Sequence, residues 1–142
     1  MQIKCFGVGM KDFAIKHVLT LVEDIKKTIV SVLNLIEADN TLTDERRYEI
    51  ELIMNELLVN SFKHANPSAL EPVVLTADVS NGKLSIRVTD SGEGFEYNKA
   101  LTPEDSQTLL KESGRGLTLV KAFSQSIKYN LIGNSVEVEI AL

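Results

Sequence analysis

Tryptophan is absent from this 142-residue chain, cysteine occurs once, histidine twice and proline three times. The lone Cys5 excludes an intrachain disulfide and cannot build a thiolate metal site alone. With His17 and His64 as the only histidines, a histidine-rich metal centre is excluded as well. No apolar run approaches the ~20 residues of a membrane span, and the first residues lack a basic stretch followed by an apolar one. A basic excess is missing too. Fifteen Lys plus Arg stand against twenty Asp plus Glu, a net charge of −5, so neither a nucleic acid nor a membrane surface is the expected partner. Repeats, low-complexity stretches and linkers are lacking, and residues 1–142 have the length of one domain. At 44% apolar and 25% charged the chain can bury a core. The expectation is a soluble, cytoplasmic domain.

What is present is periodic. Gln2 to Val8 reads as an opening strand, with Gly7 and Gly9 in the turn after it. Asp12 is placed to cap a long helix whose apolar positions are Ile15, Val18, Val22, Ile25, Ile29, Val32 and Ile36. This spacing of three and four also suits a coiled-coil seam, but consistent opposite charges at the flanking positions are missing, so a core-facing helix is expected. Thr43 followed by Asp44 and Glu45 starts a second helix, which runs to His64 or Ala65 and stops before Asn66-Pro67. Pro72 to Val79 and Lys83 to Thr89 alternate and are rich in β-branched residues, and Asn81-Gly82 between them is a two-residue hairpin signal. Ser91 to Ser113 is a long polar stretch of the kind that carries function. A third helix, Arg115 to Gln125, precedes strands at Ser126 to Leu131 and Asn134 to Leu142, turned at Gly133-Asn134. The fold class expected is α+β: a two-layer α/β sandwich, its mostly antiparallel sheet covered on one face by helices.

Three clusters carry chemistry. Six of the eight glycines fall in G-x-G pairs, and two of those pairs, Gly92/Gly94 and Gly114/Gly116, flank the polar stretch. Asp90 sits at a strand end beside the first pair. There a carboxylate can accept a hydrogen bond from a ligand amino group, while the glycines let a flat ligand approach the backbone. The second pair, in Ser113-Gly114-Arg115-Gly116-Leu117, opens a helix whose first N–H groups and dipole suit a phosphate chain. It lacks the spacing of a P-loop and the preceding strand of a dinucleotide fingerprint. In helix two, Asn60 lies about 40° and Lys63 about −20° around the axis from Glu56. A carboxylate, an amide and an ammonium thus share one line on a helix that is apolar almost all round.

Asn55 to Ala65 (NELLVNSFKHA), Val88 to Phe95 (VTDSGEGF) and Ser113 to Val120 (SGRGLTLV) resemble, in order and spacing, the N, G1 and G2 boxes of the GHKL ATPase superfamily. The likeness covers nearly the whole chain and implies the Bergerat, or histidine kinase-like ATPase, fold with ATP and Mg²⁺ as cofactors. Carried over by position, it implies that Asn60 gives its amide oxygen to Mg²⁺ and that Asp90 accepts the adenine amino group. It further implies that Gly92 and Gly94 shape the adenine pocket, and that Gly114, Arg115, Gly116 and Leu117 line the phosphates. Ser135 stands where the family often has a hydroxyl supporting the adenine-binding Asp through water. Lys63 and Lys111 are candidate phosphate contacts.

Glu56 selects the branch. Sensor histidine kinases of the superfamily typically have Asn there, whereas serine kinases and ATP-hydrolysing members have Glu, a carboxylate able to act as general base. Gyrase- and MutL-like members share the Glu but are much larger. The chain therefore resembles the anti-sigma factor serine/threonine kinases, which phosphorylate a small anti-sigma-antagonist protein and switch partners, a sigma factor among them. A nucleotide-gated binding module with little turnover and a detached histidine-kinase catalytic domain are the alternatives. Two positions depart from the pattern. Gln125 replaces an Asp common after the G2 helix, and Ile15, expected in the first turn of helix one, stands near where sporulation-type members place a partner-contacting Arg. Relatives often pair through an exposed sheet, and the Gln2 to Val8 strand would serve a homodimer.

Overall fold

A computed structural model describes residues 2–5, 12–39, 41–65, 67–92, 114–130 and 134–142, with the backbone alone for 2–5 and 114–117. The chain runs through β1 (Gln2–Cys5), β2 (Phe13–Leu19), α1 (Asp24–Asp39), α2 (Asp44–His64), β3 (Val73–Ser80) and β4 (Lys83–Thr89). After the polar stretch follow α3 (Gly114–Phe123), β5 (Ser126–Tyr129) and β6 (Ser135–Ala141). The six strands form one sheet in the order β1-β2-β3-β4-β6-β5, every neighbouring pair antiparallel. This is the α+β two-layer architecture expected from the element pattern.

Alternation builds the sheet. Val73, Leu75, Ala77 and Val79 of β3 are buried, opposite Leu84, Ile86 and Val88 of β4, which in turn face Val136, Val138 and Ile140 of β6. Strand side chains point to alternate faces, so all of these meet the helices on one side. Asn81 and Gly82 both have positive φ, 53° and 71°, the requirement of the tight hairpin turn that matches strand twist. The other face is polar. There Arg87 donates to Glu137 and Lys83 pairs with Glu139 across neighbouring strands.

The helices close the core. On α1, Ile25, Ile29, Val32, Leu33 and Ile36 are buried, and Thr28 with them. Thr43 caps α2 as expected, its hydroxyl accepting from the Arg46 N–H at 3.1 Å. The helix then buries Ile50, Ile53, Met54, Leu57 and Leu58 between the sheet, α1 and α3. It ends at His64, where the Ala65 N–H returns to the Ser61 carbonyl at 3.0 Å. Among the described residues no helix is long and apolar enough to cross a membrane.

One expectation fails. The long helix foreseen from Asp12 is instead strand β2 followed by the shorter α1, which starts at Asp24. Phe13-Ala-Ile-Lys-His-Val-Leu19 alternates as well as it fits helical spacing, burying Phe13, Ile15 and Leu19. Pairing with β1 on one side and β3 on the other decides between the two periods. Val18 and Val22, expected on the apolar helix face, are 56% and 55% exposed. Ile15 is buried in β2 and Lys16 is exposed beside it, so neither stands at a helix start. At the opening strand, β1 reaches Cys5, and Gly7 and Gly9 lie outside the described residues. The third helix ends at Phe123, and the Gln125 N–H bonds the Glu139 carbonyl at 2.8 Å.

Candidate functional site

Strand alternation carries Asp90 under α2. Val88 is buried on the helix side, Thr89 stands opposite Ser135 on the other, and Asp90 returns to the helix side at 9% exposure. Its Oδ1 accepts from the Gly92 N–H at 2.8 Å, a local turn that brings Gly92 against the end of α2. A Cβ on Gly92 would lie 2.5 Å from the His64 carbonyl oxygen and 3.2 Å from Ala65 Cβ. The position is a cradle that only glycine fits.

A pocket opens at this junction. Asn60, Ser61 and His64 of α2, Asp90, Tyr129 of β5, and Asn134 and Ser135 line it, with Leu57, Val88 and Val136 as its apolar wall. Asn60 is 7% exposed although it is polar. Burial pushes the Tyr129 hydroxyl well above its ordinary range, so it stays neutral at any working pH. An apolar wall with a few convergent polar groups is the usual composition of a small-molecule site.

The structure thus brings Asn60, Asp90 and Gly92 together, and Ser135 borders the pocket with its hydroxyl on the other face of the sheet. Glu56 is half-buried one turn before Asn60, and Lys63 is exposed near the end of α2. Helical geometry keeps both within about 60° of arc with Asn60, though neither lines the pocket. Ser135 Oγ lies 2.9 Å from Thr89 Oγ1, so its bonded partner here is a threonine on the neighbouring strand. The backbone of Gly114, Arg115, Gly116 and Leu117 forms the first turn of α3. Gly94 and Lys111 lie outside the described residues.

Several pocket residues escape sequence reasoning. Ser61 and His64 are covered by the N-box match but carry no separate signal, and Tyr129 reads as an ordinary strand residue. Asn134 looks like a turn residue only. Its carbonyl accepts from the Asp90 N–H at 2.9 Å, a contact set by the register of β6 against β4 and invisible in the local sequence.

Residues 20–140 match the histidine kinase-like ATPase domain. The chain belongs to that family. It is 31% identical over 94 residues to the anti-sigma F factor of Clostridium acetobutylicum, covering 65% of this chain and 64% of that protein. With the anti-sigma F factor of Thermoanaerobacter sp. it shares 26% over 108 residues, 75% of this chain and 73% of the relative. The sensor protein BceS of Halalkalibacterium halodurans is 27% identical over 107 residues. That match takes in 70% of this chain but 30% of the sensor, so this ATPase chain spans under a third of the sensor's length. The likeness therefore reaches both anti-sigma F factors and a sensor protein.

Proposed function

We infer that this histidine kinase-like ATPase binds Mg-ATP at the junction of α2, β4 and β6. We infer further that it transfers phosphate to a Ser or Thr of a small anti-sigma-antagonist protein, in the manner of an anti-sigma factor kinase. The observation that carries this reading is Glu56, half-buried one turn before the buried Asn60 at the edge of the pocket that holds Asp90. The residues present fit an adenine nucleotide. Asp90 Oδ1 is held by the Gly92 turn, which leaves Oδ2 to accept an exocyclic amino group. Among the described residues no cluster of His, Cys, Asp and Glu could hold a metal. A divalent cation would be held through the Asn60 amide oxygen together with the nucleotide's own phosphates, the pattern of Mg²⁺ sites built on a nucleotide.

Bound Mg-ATP would supply the transferable phosphoryl group. The chain's own part is orientation and proton transfer. Glu56 would take the proton of the incoming hydroxyl, the new O–P bond forming as the bond to the leaving diphosphate breaks. Gly94, Lys111, Lys63 and the first turn of α3 (Gly114, Arg115, Gly116, Leu117) would surround the phosphates and base. Likeness to the anti-sigma F factors supports a sigma factor as a second partner, and the exposed sheet supports pairing of two copies.

The test uses γ-labelled ATP, Mg²⁺ and lysate of the source organism, with Glu56→Gln run beside the unaltered chain. Label on a small protein, stable to acid and lost in the variant while ATP affinity stays within a few-fold, is the expected result. Acid-labile, base-stable label would point to a histidine-kinase activity. Label that never leaves ATP, with nucleotide altering partner affinity, would replace the kinase by a nucleotide-gated binder.

A further inference from the structure

Nothing in the nucleotide reading uses Asn130 and Asn134, yet hydrogen bonds from this pair hold the turn that carries Asp90. The N–H groups of Asn134 and Ser135 both donate to Asn130 Oδ1, at 3.0 and 3.2 Å. Two donors converging on one atom fix the orientation of that amide, because its NH2 in the same place would meet donors only. Asn130 Nδ2 is therefore the atom that meets Asn134, donating to its Oδ1 at 2.6 Å. With its oxygen so engaged, Asn134 presents its own NH2 to the Gly92 carbonyl at 3.3 Å. The main chain of Asn134 grips the other end of the same turn, its carbonyl accepting from the Asp90 N–H at 2.9 Å. Asn134 thus holds residues 90 and 92 at once, and between them lies the bond from Gly92 N–H to Asp90 Oδ1.

We propose that Asn134, oriented by Asn130, is a positioning residue that aims the Asp90 carboxylate and so sets the preference for a base bearing an exocyclic amino group. The proposal rests on the nucleotide reading above. A chain of amides that determine one another's orientation acts as a unit, so disturbing its far end has to move the near one. Asn130 does not line the pocket, so its part in this effect runs through Asn134.

The experiment compares binding of ATP and of inosine triphosphate, whose base has a carbonyl where adenine has its amino group, by calorimetry in Mg²⁺. Asn134→Ala removes the donor to Gly92. It is expected to lower the ATP-over-inosine preference roughly three- to tenfold, the range of one net hydrogen bond, and the readout is the ratio of the two affinities because Asn134 also lines the pocket. Asn130→Asp keeps an acceptor for the two N–H groups but sets an oxygen against Asn134 Oδ1. It is expected to turn the Asn134 amide and produce the same loss of preference with little change in melting temperature. This second variant decides the matter if Asn134→Ala does not fold. Folded variants that keep the full preference overturn the proposal and leave the ATP site standing. An unaltered chain that binds both nucleotides equally overturns the nucleotide reading, and this proposal with it.

Discussion

The carbonyl oxygen of His64 stands 2.5 Å from where a Cβ on Gly92 would lie. The last turn of α2 and the turn after β4 are therefore in backbone contact, and the pocket exists because they meet. Gly92→Ala forces one of them to move. The expected loss is about 1–3 kcal/mol of stability, as for overpacking elsewhere in protein interiors, with weaker ATP binding because Asp90 shifts with the turn. Thermal denaturation and nucleotide titration of the variant check this. An unchanged melting temperature together with unchanged affinity would refute the close contact.

Gly82→Ala offers the contrast. Among the described residues beyond its two chain neighbours nothing lies within 4 Å of a Cβ at this position, but φ is +71°. Backbone strain alone should then cost about 1–2 kcal/mol. The hairpin is at the far end of β4 from Asp90, roughly 25 Å away at strand rise, so ATP affinity should not change. The same substitution at two glycines thus separates a stability effect from a binding effect, and a drop in affinity in Gly82→Ala would contradict that separation.

How much of this was legible in the sequence depends on how local the cause is. Asn81-Gly82 and the alternation around it announce the β3–β4 hairpin because turn and strands are contiguous. Thr43 announces the start of α2 for the same reason. Phe13 to Leu19 is different: Ile15, Val18, Val22 and Ile25 satisfy helical spacing, and what makes the segment a strand is pairing with β3, whose Val79 lies opposite Phe13. That partner is distant in sequence, so the local pattern cannot contain the answer. At the site, Asn60 and Asp90 stand in recognisable motifs. Asn134 does not, since its bond to Asp90 depends on the register that sets Ser135 opposite Thr89.

On the outer face of the sheet, partial burial and the nearby Glu137 and Glu139 raise the Asp78 carboxyl above its ordinary range, Arg87 offsetting part of the effect. A carboxylate whose pKa is raised by folding opposes folding once it is charged. The penalty is absent below the unfolded pKa, about 3.9, and grows as pH rises through the folded value. Asp78→Asn should therefore raise the melting temperature slightly at pH 7, and the difference should vanish near pH 3. Melting curves across that interval check it. A variant less stable than the parent at neutral pH would show that the attraction of Arg87 outweighs burial and the other two charges together.

Asn60 is the sharpest point on which to test the cation. Its amide is buried at the pocket beside Asp90, and a neutral amide oxygen is a suitable ligand for a hard cation that keeps most of its waters. In Asn60→Ala the base, the cradle at Gly92 and the Asp90 turn are untouched, so recognition of adenine should survive. What is lost is one oxygen ligand, and the loss should appear only when the cation is there. The expectation is binding of ATP weakened about tenfold in Mg²⁺, equivalent to ~1.4 kcal/mol, with affinity in excess chelator within about twofold of the parent. Calorimetric titration with and without Mg²⁺ separates the two cases. An equal loss in both conditions would mean that Asn60 supports the packing of α2 over the sheet and not the metal, and the cation would have to be held by other groups.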